Sequence, residues 1–380
     1  MIYLDFAATT PTNPEVLKAF DEVTINYFGN TGSLHDVGVK AATLVEHSRN
    51  QVAELLKVKP EEIIFTSGAT EANNLAIKGV ALANKHRGNH VITTKIEHAS
   101  VYDTCQFLET YFGFDVTYLN VDEYCRVDPA ELAASMRDDT VLVSIMHVNS
   151  EVGSIQPIAE LAEIVRQNPK TYFHVDMVQS FGKVPFVFED LDIDMASFSM
   201  HKIFGLKGSG FLYKKNTVQI APLISGGLQE NGFRGGTQNT AAEIVVAKTV
   251  RLAVENFEAK FSHTMDMRNR LFAGIEAIPG VVINTPQIGF SPAMVNFSVV
   301  GAKPESIVHA LAEREIYIST RSACSAKNGK PSRVLQAMPI SHERAISGLR
   351  ISVSYVTTAE EIDATIAALA EIVATIEKSA

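Results

Sequence analysis

The sequence predicts an α/β fold: a mostly parallel seven-stranded sheet with helices on both faces, joined to a smaller α+β C-terminal domain. Two observations lead there. Short apolar runs rich in branched residues alternate with longer segments whose apolar residues recur at helical spacing, such as Ile158, Leu161, Ile164 and Val165. Strand and helix in alternation argue for a parallel sheet covered by helices. The chain also has 380 residues, which at ~100–200 residues per domain means two domains or one large one. Hydrophobic residues at 46% and charged residues at 20% are ordinary for a globular protein and exclude disorder, coiled coil and collagen.

The strand candidates, in order, are 63–65, 91–94, 116–119, 141–148, 172–175, 195–199 and 210–213. Only a short stretch around Gly205, Gly208 and Gly210 separates the last two. A parallel crossover needs a dozen or more residues, so the last strand is expected to enter antiparallel. From Thr240 a long helix runs through Ile244, Val245, Lys248, Leu252 and Val254 toward Phe257, and a second helical stretch covers 265–278. After the Pro279-Gly280 turn come strands at 281–283 and 294–300, then more helix. The final helix begins at Thr358, where Thr358-Ala-Glu-Glu361 fits a capping box, and Ile362, Ile366, Leu369, Val373 and Ile376 stripe one face.

Charge and cysteine usage narrow the function classes. Lys and Arg total 33 against 43 Asp and Glu, a net charge of −10, which repels nucleic acid and anionic membrane as a whole. Cys105, Cys125 and Cys324 are far apart and odd in number. That is neither a disulfide framework nor a zinc cluster, and it points to a reducing cytoplasm. No apolar run approaches ~18 residues, and the first six residues lack a signal-peptide pattern. No period recurs and no stretch is low-complexity.

Four segments carry chemistry. In Phe65-Thr-Ser-Gly-Ala-Thr-Glu71 a strand ends and a helix opens, so free amides with the Ser67 and Thr70 hydroxyls form an anion site. Its bland alternative is a capped βα turn. In Phe173-His-Val-Asp-Met-Val-Gln179, Asp176 ends an apolar strand, where open α/β sheets place their ligand crevice. A carboxylate there suits a protonated ring nitrogen or a helix cap. His174 shares its strand face, but no third ligand follows at metal-site spacing. In Ser197-Phe-Ser-Met-His-Lys-Ile203, Lys202 lies just past a strand end. Desolvated there it becomes a Schiff-base nucleophile; solvated, it is an ordinary surface lysine. Taken together, an anion cradle, a ring-nitrogen carboxylate and a lysine at strand ends are the parts needed to hold pyridoxal phosphate. The fourth segment, Thr320-Arg-Ser-Ala-Cys-Ser-Ala-Lys-Asn-Gly-Lys-Pro331, reads as a loop. There Arg321 and Lys327 favour Cys324 as a thiolate, whereas Cys105 fits a buried, inert thiol.

With these motifs in order from Tyr3-Leu-Asp-Phe-Ala-Ala-Thr-Thr-Pro11 to Thr357-Thr-Ala-Glu-Glu-Ile-Asp363, the chain resembles a cysteine desulfurase of the NifS/IscS type. These belong to the class V aminotransferase group of fold-type-I pyridoxal-phosphate enzymes. The resemblance implies a large cofactor-binding domain over 13–250, and a small domain of 1–12 and 251–380 carrying the catalytic-cysteine loop. It implies that Lys202 holds the cofactor covalently, that Asp176 pairs with the ring nitrogen, and that His98 stacks on the ring and moves protons. Asn149 and Gln179 would contact the ring hydroxyl side, and Ala69, Thr70, Ser199 and His201 the phosphate. Thr237, in Arg234-Gly-Gly-Thr237, would reach the phosphate of a neighbouring subunit, so a homodimer follows. L-cysteine would be converted to L-alanine with a persulfide on Cys324. The sulfur would pass to an acceptor protein for iron–sulfur cluster assembly or tRNA thiolation.

The segment Arg350-Ile-Ser-Val-Ser-Tyr355 departs from the family. Arg350 is kept, but Tyr355 stands where an arginine is expected to grip the substrate carboxylate, with Asn149 beside it. A tyrosine offers one neutral donor in place of a bidentate cationic fork. Two alternatives stay open: a class V aminotransferase or selenocysteine lyase on the same fold, and a catalytically weak sulfur-transfer or regulatory partner that keeps the cofactor, which Tyr355 alone favours.

Overall fold

The computed structural model describes residues 1–320 and 331–377. Within them the strands are, in chain order, β1 (Ile2–Tyr3), β2 (Ile63–Thr66), β3 (His90–Thr94), β4 (Asp115–Leu119), β5 (Thr140–Met146), β6 (Tyr172–Asp176), β7 (Met195–Ser199), β8 (Gly210–Lys214), β9 (Val281–Ile283), β10 (Met294–Val299), β11 (Ile316–Tyr317) and β12 (Gly348–Ser352). Seven of them form one sheet in the order β2-β8-β7-β6-β5-β3-β4. Every pairing is parallel except those of β8, which runs antiparallel to both β2 and β7. Residues 200–209 are too few for a helical crossover, so the chain doubles straight back, as expected.

Burial explains why these runs are strands. Successive side chains face opposite sides of the sheet, and both sides are covered. Ile63 and Phe65 of β2 join Phe173, Val175 and Phe198 under the helices Asp36–Leu56, Ile158–Arg166 and Thr240–Val254. Ile64 faces the other way, with Val91, Leu142 and Leu212 under the helices Ala69–Asn84 and Ala99–Phe112. The run expected over 141–148 stops at Met146, because the His147 amide bonds the Asp176 carbonyl at 3.0 Å and Val148 then bridges to Ile155.

A separate apolar cluster gathers Leu4, Leu271, Val295, Phe297, Leu349, Ile351, Ile362, Leu369 and Val373. It is built on the antiparallel set β12-β10-β9. The helical stretch after Thr240 divides at Asn256, whose φ of 54° is left-handed, into Thr240–Val254 and Phe257–Glu276. The second helix therefore starts well before residue 265. The last helix is Ala359–Glu377, and its capping box is made: Thr358 N donates to Glu361 Oε2 at 3.0 Å and Glu361 N to Thr358 Oγ1 at 3.3 Å.

The N-terminal residues tie the two clusters together. β1 pairs with β11, and Ser352 N donates to the Leu4 carbonyl at 2.8 Å. The chain then crosses to the β7–β8 turn, where Thr10 N donates to His201 O and Asn13 N to Phe204 O. Among the described residues no helix is long and apolar enough to cross a membrane.

Candidate active site

β2, β3, β5, β6 and β7 are mutually parallel, so their C-terminal ends share one edge of the sheet. In an open α/β sheet that edge is where ligands bind. A cavity of about 450 Å³ opens there, lined from Ala7–Thr9, Ser67–Glu71, His98, Ser100, Asp176, Gln179, Ser199, His201, Lys202 and Arg350 among others. Ala7 and Arg350, more than 300 residues apart in sequence, both line it because the N-terminal segment is bonded to β12 at Leu4 and to His201 at Thr10.

One end of the cavity is the start of the helix Ala69–Asn84. Gly68 caps it with φ 140°, a conformation that suits glycine. The backbone here is tightly stacked: a Cβ on Gly210 would lie 2.4 Å from Phe198 O and 2.7 Å from Gly68 Cα. The first-turn amides of Ala69 and Thr70 have no intrahelical acceptor, and they face the cavity with Ser199 and His201. His201 Nδ1 lies 3.0 Å from Thr9 Oγ1. Burial, helped by the charge of Lys202, pushes its pKa down to about 4, which keeps the ring neutral. Glu71 receives the Ser67 amide at 2.8 Å and Arg234 Nε at 2.9 Å, so the cradle is braced from outside.

Asp176 forms another part of the wall. It is 6% exposed; its Oδ1 accepts from Val178 N at 3.0 Å and its Oδ2 from Asn73 Nδ2 at 2.9 Å. No helix begins here, so the helix-cap reading is not met: Oδ1 closes the turn after β6, on a carboxylate that lines the cavity. His174 is placed differently. It is buried, with Nδ1 2.8 Å from Ser144 Oγ and Nε2 2.9 Å from Ser197 Oγ, so both nitrogens are committed to hydroxyls. Burial drives its pKa down to about 3.

Lys202 donates from Nζ to the carbonyls of Ala7, at 2.7 Å, and Ala8, at 2.6 Å. Gln179 Nε2 donates to the same Ala7 carbonyl at 2.9 Å, while its Oε1 accepts from Lys183 Nζ at 2.7 Å. His98 caps the helix Ala99–Phe112: Nδ1 accepts from Ser100 N at 3.2 Å and lies 2.8 Å from Ser100 Oγ. Burial lowers its pKa, Lys202 and Arg333 add to the effect, and Asp176 opposes it.

The structure brings together Ala69, Thr70, His98, Asp176, Gln179, Ser199, His201, Lys202 and Arg350. It does not bring Asn149 to the cavity wall. That residue is fully buried, its Nδ2 donating to Ile96 O and Met146 Sδ and its Oδ1 capping the amides of Glu151 and Val152. Its amide is spent on folding the loop after β5.

Tyr355 is also elsewhere. It lines a smaller apolar cavity that adjoins the main one at Ala7 and Lys202, its ring 4.8 Å from that of Phe204 and 5.0 Å from Lys260 Nζ. Among the described residues, the guanidinium that lines the main cavity is that of Arg350. The two residues end on different sides because the chain turns after β12 at Ser354, where Thr357 N bonds the Ser354 carbonyl. The expectation that Tyr355 replaces the carboxylate grip is therefore not met by its position. Thr237 is exposed, outside the cavity, on the segment that follows Arg234. Cys324, with Arg321 and Lys327, lies outside the described residues; Cys105 and Cys125 are buried.

Sequence reasoning passed over Asn73 and Ser100. Asn73 follows Thr70 by three residues on one helix, which places them on one face, and that spacing was a readable signal. Its partners were not.

The donor set fits pyridoxal phosphate. The amide cradle suits a phosphate ester, the buried carboxylate a protonated ring nitrogen, and the lysine an aldehyde. Arg350 adds a buried Nε that has no hydrogen-bond partner among the described residues.

Known proteins point the same way. The profile of the family Aminotransferase class-V matches residues 2–365. A Cysteine desulfurase IscS from Dictyoglomus turgidum is 41% identical over 98% of this chain and 94% of its own. A NifS/IcsS protein homolog from Lactobacillus delbrueckii subsp. bulgaricus is 44% identical over 98% and 97%. Among solved structures, a NifS-like protein superposes with a TM-score of 0.92 at 37% identity, covering 98% of this chain and 99% of the other.

Proposed function

The chain belongs to the aminotransferase class-V family, and from that premise we propose that the cavity at the strand ends is where this pyridoxal-phosphate-dependent cysteine desulfurase takes sulfur from L-cysteine. The observation that carries the reading is the meeting of Asp176, Lys202, His98 and Arg350 with a helix-start anion cradle in one cavity.

Pyridoxal phosphate, when bound, supplies an electron-withdrawing ring that stabilises negative charge at the substrate carbon next to its amine. The protein's residues do the rest. Ala69 and Thr70 amides, with Ser199 and His201, hold the phosphate, and a neutral His201 donates without adding charge. Asp176, kept in place by Val178 N and Asn73, holds its negative charge against the ring nitrogen. Lys202 would hold the cofactor covalently and, as a free amine, would hold or give a proton at Nζ. His98 moves protons at Nε2, because Nδ1 is occupied as an acceptor. Arg350 Nε binds the substrate carboxylate. The Cys324 thiolate attacks the substrate sulfur: an S–S bond forms, the Cβ–S bond breaks, and the electron pair released is taken up with a proton as alanine leaves.

The sulfur then passes from Cys324 to an acceptor protein, and iron–sulfur assembly or tRNA thiolation in the cytoplasm is the destination we read. The protein works as a homodimer. Thr237 is exposed, and its neighbour Gln238 accepts from Thr31 Oγ1 at 2.7 Å. That joins the Thr237 segment to a surface where Phe28 is 76% and Leu34 98% exposed, an apolar patch suited to a second copy.

The experiment is direct. The purified protein should absorb in the visible and release alanine from L-cysteine in the presence of a reductant. Lys202→Ala should lose both the native absorption and turnover; an unchanged spectrum refutes the role of Lys202. Sedimentation that finds a fully active monomer refutes the shared site.

A further inference from the structure

We propose that Asn73 is a positioning residue that joins Asp176 to His98 through Ser100, so that the imidazole is held with its proton on Nε2. Asn73 is fully buried on the helix Ala69–Asn84. Its Nδ2 sits 2.9 Å from Asp176 Oδ2 and 2.9 Å from Ser100 Oγ. The orientation of the amide follows from its partner. A carboxylate only accepts, so the nitrogen and not the oxygen must face Asp176.

Both protons of that nitrogen are then spent, one on each residue. Ser100, accepting from Asn73, has its own hydroxyl proton left to give. The atom within reach is His98 Nδ1, at 2.8 Å. The Ser100 amide points at the same nitrogen from 3.2 Å and cannot turn round. A proton on Nδ1 would confront that amide, donor against donor. The chain of bonds therefore runs one way, from the helix amide through the serine to the imidazole, and leaves Nε2 to carry the proton.

The arrangement also costs something that packing alone does not explain. Asn73 Oδ1 is buried without a partner among the described residues, an unfavourable state for an amide oxygen. The site keeps an amide whose nitrogen end alone is satisfied, and that end is the one joining two functional groups. Charges around His98 are mixed, with Lys202 and Arg333 disfavouring a second proton and Asp176 and Asp103 favouring it. Burial is the largest influence and disfavours the second proton, and a directional hydrogen bond to Nδ1 stabilises the neutral ring in the same sense.

The inference rests on assigning Asp176 and His98 to the proposed site, yet its test reads the imidazole itself. Nitrogen NMR of histidine-labelled full-length protein, with and without bound cofactor, gives the tautomer and titration of His98. In the wild type Nδ1 should show the unprotonated shift. Asn73→Ala frees the Ser100 hydroxyl to accept instead of donate. His98 should then protonate about three- to tenfold more readily, its titration moving up by about 0.5 to 1 pH unit. Ser100→Ala, at a half-buried position, breaks the same chain without emptying the core and should move it in the same direction; the double variant should add little more. A purely structural Asn73 would lower the unfolding midpoint and leave the titration where it was. Wild-type Nδ1 carrying the proton, or unmoved titrations in both single variants, overturns the proposal. Failure to bind cofactor or desulfurise cysteine would instead refute the function and leave this readout intact.

Discussion

The guanidinium of Arg350 donates from Nη2 to Asp5 Oδ1 at 2.8 Å, a contact between residues at opposite ends of the chain. Nη1 is held by the Ser150 carbonyl at 2.7 Å. With both terminal nitrogens fixed, Nε is buried and has no partner among the described residues, on a side chain that lines the cavity. A carboxylate placed there would complete the arginine's bonding, which supports the proposal that Arg350 and not Tyr355 grips the substrate.

Arg350→Lys should therefore raise the Michaelis constant for L-cysteine by about ten- to a hundredfold, the equivalent of one charge-assisted bond of about 1.5–3 kcal/mol. Tyr355→Arg should leave it within about twofold, since that side chain faces the other cavity. Steady-state alanine release decides. A Tyr355→Arg variant that binds L-cysteine far more tightly reverses the assignment.

Cys324→Ser should retain the cofactor and its visible absorption while failing to accumulate protein persulfide. Cys105 and Cys125 are buried, and desolvation pushes both thiols well up, so neither is a ready thiolate. Mass-spectrometric mapping of persulfide after one L-cysteine turnover tests this; persulfide on Cys105 or Cys125 contradicts it.

Gly210→Ala should damage the phosphate cradle without touching a charged residue. The added methyl meets the backbone of Phe198 and Gly68, neither of which rotates away, and overpacking of this kind costs about 1–3 kcal/mol. Denaturant unfolding should show the loss, and the cofactor should dissociate more readily on dilution. Ala at this position with unchanged cofactor affinity shows that the cradle tolerates spreading.

Glu97 sets a pH dependence. It is 1% exposed, with Oε1 accepting from Thr94 Oγ1 and Met146 N, and burial raises its pKa to about 8, with Asp176 adding to the rise. The folded state thus binds a proton that the unfolded chain releases near pH 4.5. The stability linked to that proton is fully present below about 4.5 and is lost as pH climbs toward 8. Glu97→Gln keeps the acceptor and removes the titration. Relative to the wild type it should gain stability between pH 5 and pH 8 in parallel denaturant titrations; a difference that does not change with pH counts against a buried, proton-binding Glu97.

The fold and most of the site could be read from sequence, because the signals that carry them are local. Alternating apolar periods predict strands and helices, a short glycine-rich interval forces β8 antiparallel, and Thr358 with Glu361 marks a helix start. Strand ends also predict where Asp176, Lys202 and the Ser67–Thr70 cradle gather, since parallel strands stop along one edge. Three things were decided only by tertiary structure. Arg350 and Tyr355 are five residues apart, and which of them faces the cavity depends on where the chain leaves β12. Asn149 has the right chemistry, but the loop after β5 consumes both ends of its amide. Asn73 has no motif to announce it; its role exists only because a helix on one face of the sheet lays it between a strand-end carboxylate and the serine that holds His98. Hydrogen bonds act over about 3 Å, and Asn73 comes within that distance of both Ser100 and Asp176 only when the sheet and its helices have packed.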